Sequence, residues 1–224
     1  MQQRFSRTVS VSKEIDAGLP GRGLPLGCIH EIQNPGLASG IAFASLLAGR
    51  TPPFGGQLIY VASDRSFHPL GLLRYGVQPE QWIHVSARSS QDLAWTVLEA
   101  LRCPQVSAVL AVVQSADLTL CRRFQLAAES SGVTGFLLTD SAAKPAIASV
   151  ITRWHISPIP APPGTTFSEA CWDINLAYCR GGRPGHWSTV WRNGQLEVLE
   201  PSSETVESQW SQRVRFLPAD RLAG

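Results

Sequence analysis

Residues 106–113, VSAVLAVV, carry seven apolar side chains and a single serine. A strand with one face in water alternates apolar and polar residues. An almost wholly apolar run of this length reads as a strand buried on both faces. It is too short to span a membrane, which takes about 20 apolar residues. A strand buried on both faces needs a layer above it and a layer below it. The rest of the chain supplies candidates for both.

Shorter stretches at residues 28–32, 58–62, 82–85 and 135–138 also read as strands. Segments of helical spacing separate them. Residues 41–48 are nearly all apolar and precede Gly49, which suits a buried helix with a glycine stop. Phe67, Leu70, Leu73 and Val77 fit one helix face ending near Gly76. Ser89 to Asp92 resembles a capping box with Asp in the place of Glu or Gln. Behind it Leu93, Ala94, Val97, Leu98 and Leu101 line one side. Leu120, Phe124, Ala127 and Ala128 do the same for a further helix. Beyond residue 150 the helical spacing stops. Segments 151–156, 172–179, 187–191 and 196–199 read as strands, with turn signals at Gly181-Gly182 and Asn193-Gly194. The expected class is α/β: a mainly parallel sheet flanked by helices, with antiparallel edge strands at the C-terminal end.

The expected organisation is an N-terminal arm over residues 1–14, a core over 15–199 and a polar tail over 200–224. Residues 1–27 as a whole read as a lead-in and a turn. In the tail Glu200, Glu204 and Glu207 precede Arg213, Arg215 and Arg221. There is no internal repeat. With 44% apolar and 16% charged residues the 224-residue chain is globular in composition. A formal net charge of +2 is too small to argue for nucleic acid by itself. Five cysteines without a CxxC pair read as reduced thiols, and residues 1–10 lack the apolar core of a secretion signal. Both point to the cytoplasm. The five histidines are scattered without metal-ligand spacing, so neither a metal nor another cofactor is expected.

In a doubly wound sheet the chemistry gathers beyond the carboxyl ends of the strands. A phosphate-binding loop there reads GxxxxGK[ST], the lysine neutralising phosphate charge and the hydroxyl holding magnesium. The best alignment in this chain is Pro35, Gly36, Leu37, Ala38, Ser39, Gly40, Ile41, Ala42. Gly40 takes the second glycine, Ile41 the lysine and Ala42 the hydroxyl position. After residues 106–113, where an acid would hold magnesium, stands Gln114. Asp64 follows the second strand, where a general base would sit, but a helix-capping role suits it better. Phosphoryl transfer rests on positioning and charge stabilisation. The expected site is therefore a degenerate nucleotide loop, not a catalytic one.

Residues 23–32 (GLPLGCIHEI) followed by 35–40 resemble the entry into the ATP loop of RecA. Residues 59–64 (IYVASD), His68-Pro69 and 75–77 resemble its segment bearing the catalytic acid, and 109–115 its second nucleotide motif. The resemblance covers about residues 15–199. Within that superfamily, 99–104 (EALRCP), 116–126 (ADLTLCRRFQL) and 179–185 (CRGGRPG) are similar to the ImuA family. That resemblance implies an accessory role in SOS-induced error-prone translesion synthesis. The implied partners are ImuB (an inactive relative of Y-family polymerases), a DnaE-type polymerase and RecA. Both regions corresponding to RecA's DNA-contacting loops look truncated, at 117–119 and 141–149, and RecA's long N-terminal helix is missing. Weak DNA binding through backbone charge stays open.

Arg180 and Arg183 flank the Gly-Gly pair. In the RecA pattern this region carries basic residues that reach a neighbouring protomer, so with Trp187 they are candidates for partner contact. A solvated hairpin explains them equally well. Arg122 and Arg123 are read at the start of a helix, where the dipole disfavours positive charge. They are weaker candidates, since an ordinary solvated face accounts for them. Residues 212–216 (QRVRF) match sliding-clamp peptides poorly, and chance explains them better. Two competing readings remain. One is a SulA-type division inhibitor directed at FtsZ, against which the 180–187 segment speaks. The other is an NTPase with an unorthodox site, against which Ile41, Ala42 and Gln114 speak.

Overall fold

The computed structural model describes residues 7–52, 56–63, 67–114, 118–139, 150–166 and 169–199. Among them a nine-stranded sheet organises the molecule. In chain order its strands are β3 (Ile29–Gln33), β4 (Gln57–Ala62), β5 (Trp82–Ser86), β6 (Val106–Val112), β7 (Thr134–Thr139), β8 (Thr152–Pro158), β9 (Ala170–Cys179), β10 (Gly185–Arg192) and β11 (Gln195–Val198). Their spatial order is β11-β10-β9-β8-β3-β7-β6-β4-β5. From β8 to β5 all neighbours are parallel, whereas β9, β10 and β11 join antiparallel. The expected α/β class holds, including the antiparallel end. The first six residues of β6 are buried, as its apolar run requires.

Two hydrophobic layers sandwich the parallel strands. On one face lies helix α2 (Ala38–Ala48), in which every residue from Ala42 to Ala48 is buried. Such a helix has no polar stripe and must be covered all round. Its Phe43 packs at ring-centroid distances of 5.5 Å from Trp154 and 6.3 Å from Trp172. On the other face lie α3 (Ser90–Arg102) and α4 (Leu118–Ser131), which bury Val97, Leu98, Leu101 and Phe124. Ser89 starts α3 by accepting a 3.0 Å hydrogen bond from the Asp92 amide, one half of the expected capping box.

The segment after β4 departs from expectation. Instead of an α-helix with Phe67, Leu70, Leu73 and Val77 inward, Pro69–Tyr75 is a 3₁₀ helix. Its three-residue turn places Leu72 and Tyr75 on one face, and these are buried. Leu70 and Leu73 are 71% and 43% exposed. Tyr75 reaches across to Trp172 and Trp191, and Trp191 donates its indole N–H to the Arg74 carbonyl at 2.9 Å. Gly49 also ends α2 for a different reason than expected. Its φ is −62°, not left-handed, and a Cβ there would meet Val77 Cγ2 at 2.7 Å.

The N-terminal segment is more than a lead-in. Strands β1 (Thr8–Val9) and β2 (Leu24–Pro25) pair with each other, and the single turn α1 (Lys13–Asp16) lies between them. Val11, Ile15, Leu19 and Leu24 join the same core cluster as α2. Asp16 is buried and accepts from the Ser10 hydroxyl at 2.6 Å and the Val11 amide at 2.9 Å. Asp64, the 141–149 connection and the 200–224 tail lie outside the described residues.

Candidate functional site

The loop between β3 and α2 is where a nucleotide's phosphates would sit in a fold of this kind. It is folded on itself. Asn34 accepts from the Leu37 amide at 3.2 Å across Pro35 and Gly36, and Gly36 has φ +71°, which suits the third position of a type II turn. Leu37 then takes φ +62°, and the Ala38 amide turns back to the Gly36 carbonyl at 2.8 Å. The Asn34 side chain is 1% exposed. Its Oδ1 accepts from the Gly40 amide at 2.9 Å and its Nδ2 donates to the Ile156 carbonyl at 2.7 Å. Amides at the start of such a helix ordinarily face an anion. Here a side chain of the same loop takes one of them. A Cβ on Gly40 would approach Asn34 Cβ at 2.9 Å, so the glycine is required by the asparagine itself.

Next to this loop is a hollow of about 260 Å³. Its walls are Gly36, Leu37, Ala38 and Ile41 on the loop side, and Tyr60, Phe67, His68 and Leu72 opposite. Tyr60 and Phe67 stack at 4.1 Å with their planes 15° apart, and Trp82 meets Phe67 edge-on at 5.0 Å. Among the described residues the walls of the hollow are therefore mainly apolar and aromatic, with His68 the polar side chain. Of the residues expected at the nucleotide loop, Gly36 and Ile41 line this hollow. Pro35 is exposed on the turn. Ser39 is half-buried in the first turn of α2, and Gly40 and Ala42 are buried. Gln114 is exposed just past β6 and is not part of the wall. Asp64 is not among the described residues. Asn34 and the Tyr60–Phe67 pair were not singled out from the sequence. The partner of Asn34 lies 122 positions away, so no local pattern announces it.

The remaining candidates sit elsewhere. Arg180 and Arg183 occupy the β9–β10 turn. Because β9 runs antiparallel to β8, with Cys179 opposite Thr152, this turn lies at the end of the sheet away from the nucleotide loop. Its backbone docks on the core: the Arg180 amide donates to the Ile151 carbonyl and the Arg183 amide to the Gly18 carbonyl, each at 2.8 Å. Gly181 has φ +78°, and a Cβ on Gly182 would approach the Gly18 carbonyl oxygen at 2.6 Å. Trp187 is half-buried against the α2-side core. Arg122 and Arg123 are exposed in the second turn of α4, which begins at Leu118. The helix-start argument for them therefore fails, because the dipole effect fades beyond the first turn. They stand between Leu118 and Leu126, each 57% exposed.

Two buried polar constellations brace β3. Trp154 Nε1 donates to Thr152 Oγ1 at 2.6 Å, the Thr152 hydroxyl donates to His30 Nδ1 at 2.7 Å, and His30 Nε2 donates to the Pro25 carbonyl at 2.9 Å. Each donor has one acceptor only if His30 is neutral. Full burial drives its pKa down to about 4. On the opposite face Arg153 donates to Glu31 at 2.7 Å, both largely buried, and Gln33 donates to the other Glu31 oxygen at 2.9 Å. Burial and the Arg153 charge lower the pKa of neighbouring His155. These groups are paired among themselves, which suits bracing of the sheet.

No family model matches the chain. Among curated proteins, Protein ImuA of Caulobacter vibrioides strain NA1000 / CB15N is 35% identical over 191 residues, covering 77% of this chain and 78% of that protein; the same protein of strain ATCC 19089 / CIP 103742 / CB 15 gives the same values. The chain belongs to the ImuA family. Its architecture is similar to that of the RadB recombinase, with a TM-score of 0.60 over 85% of this chain and 100% of that one. At 14% identity that likeness concerns the fold alone, and the fold is RecA-like.

Proposed function

We propose that this ImuA-family protein is a non-enzymatic accessory factor in DNA-damage-induced translesion synthesis. It would act alongside ImuB, an error-prone DnaE-type polymerase and RecA, lending a RecA-shaped surface and not ATP turnover. Family membership supports the setting. The observation that carries the non-enzymatic part is the loop itself: Asn34 takes the Gly40 amide, and Ile41 and Ala42 stand where a lysine and a hydroxyl are needed. Without those two groups little is left to stabilise the charge that develops in phosphoryl transfer.

Two measurements test the two halves. Tagged protein recovered from DNA-damaged cells is expected to bring down the inactive polymerase homologue, the DnaE-type polymerase or RecA. Recovery of none of these, or of FtsZ alone, overturns the setting. Purified protein is expected to show no magnesium-dependent ATP hydrolysis above background. Turnover that disappears in Asp64→Ala overturns the non-enzymatic reading and leaves the family assignment standing.

A further inference from the structure

We propose that the outward face of α4 between Leu118 and Leu126 is a docking surface for an acidic amphipathic helix of a partner protein. The proposal deepens the accessory role proposed above and rests on it for the setting in which a partner is met. α4 turns Cys121, Phe124, Ala127 and Ala128 into the core. From 118 to 126 the exposed residues are Leu118, Thr119, Arg122, Arg123 and Leu126. Leu118 and Leu126 are each 57% exposed. A single exposed leucine is ordinary. These two share one ridge of the helix with Arg122 between them, at intervals of four residues. Such a ridge is the unit by which one helix packs into the groove of another.

Charge selects the occupant. Residues 118–126 contain no acid. Among the described residues neither Arg122 nor Arg123 has an ion-pair or hydrogen-bond partner. Glu129, the next acid along α4, lies beyond Leu126 and accepts from Gln125 Nε2 at 2.8 Å. On the neighbouring α3, Glu99 is taken by Arg102 at 2.8 Å. α3 and α4 follow β5 and β6 of the parallel section on one face of the sheet, so they run side by side in the same direction. Trp95 and Arg123 each stand five residues past the start of their helices, and Trp95 is 66% exposed. A tryptophan at about the height of the arginines adds the kind of anchor that interfaces use. A nucleic-acid backbone would meet the arginines through its phosphates and leave the leucines and the tryptophan in water. A helix with apolar, acidic and apolar residues at i, i+4 and i+8 satisfies both kinds of group.

The probe is a fluorescent helical peptide with leucine, glutamate and leucine at i, i+4 and i+8, set against the same peptide with lysine in place of glutamate. Both are titrated with the full chain. The parent is expected to bind the glutamate peptide about tenfold or more tightly than the lysine peptide. In Arg122→Glu/Arg123→Glu that preference is expected to reverse. In Leu118→Ser/Leu126→Ser the glutamate peptide is expected to bind about tenfold more weakly than in the parent. All four side chains are exposed, and unchanged urea midpoints check that the variants fold; Leu126→Gln serves if the double leucine variant does not. Equal binding of the two peptides by the parent, or the same preference in parent and arginine variant, overturns the proposal. So does a single-stranded oligonucleotide held alike by the parent and the leucine variant and lost in the arginine variant, since the face then reads phosphates. Recovery from DNA-damaged cells separates this face from the accessory role. An arginine variant that recovers the polymerase factors as the parent does overturns the face as their contact and leaves the role standing. A parent that prefers the glutamate peptide yet recovers none of them overturns the role and leaves the face standing.

Discussion

His30 is the residue whose environment makes the sharpest demand. It stacks on Phe136 at 5.5 Å and is 0% exposed, and its two ring nitrogens are committed to Thr152 and Pro25 in a direction only the neutral ring allows. Protonation would face Nδ1–H with a hydroxyl already giving its own proton to that nitrogen. Burial lowers the folded-state pKa from 6.5 to about 4. The unfolded chain binds the proton first, near pH 6.5. Stability from this group is therefore complete above pH 6.5 and is lost as pH falls toward 4, a loss of roughly 3 kcal/mol. Urea unfolding between pH 7 and 4.5 is expected to show that decline in the parent. In His30→Gln, which can still donate to Pro25 and accept from Thr152, most of the slope should be gone. An identical slope in the two proteins would assign the acid sensitivity to other groups.

Among the elements, the β10–β11 hairpin shows how a two-residue turn fixes an edge. Arg192 pairs with Gln195, and Asn193 and Gly194 between them have φ +50° and +75°. Two positive φ values in a two-residue loop make a type I′ turn, whose twist matches that of the strands. Asn193→Ala forces a Cβ-bearing residue without a compensating side-chain dipole into the left-handed region. It is expected to cost about 1 kcal/mol, whereas Asn193→Gly should stay near the parent. Equal midpoints of urea unfolding for the Ala and Gly variants would contradict this. The turn was legible from the Asn-Gly pair, and the central strands β4, β6 and β7 were legible from their apolar runs. The segment after β4 was misread because a 3.6-residue period was imposed on a stretch that Pro69 opens as a 3₁₀ helix with a period of three. The position of Arg122 in α4 was misread by about one turn, because the helix begins at Leu118, four residues earlier. At the nucleotide loop, the replaced residues Ile41 and Ala42 were visible in one dimension. Asn34, which occupies the loop from within, depends on a β8 carbonyl that only the folded sheet brings near.

At the scale of the whole molecule, the sheet and its two helical layers leave one side to be finished by the N-terminal segment. Polar composition hid this, because the segment is attached through a few apolar side chains and through bonds to backbone atoms. Val11, Ile15 and Leu19 enter the core, and Asp16 gathers the chain around itself. Arg50, just past α2, ties the two parts together. Its guanidinium donates to two carbonyls of the segment and lies 5.6 Å from the Trp191 ring centroid on β10. One side chain thus links the N-terminal segment, the α2 layer and the antiparallel end of the sheet. Removing it leaves two carbonyls to water and one tryptophan face uncovered. The expected cost of Arg50→Ala is about 2 kcal/mol, from charge-assisted hydrogen bonds and a cation–π contact. Because the parallel strands do not depend on it, the loss should be local. Brief trypsin treatment of the Arg50→Ala variant is expected to cut after Lys13 and Arg22 at least tenfold faster than in the parent, while β3 to β7 survive as one fragment. Cutting at the parent's rate would mean that the apolar residues hold the segment unaided. Uniform digestion of the whole chain would mean that the segment is a structural member of the core and not a strap laid over it.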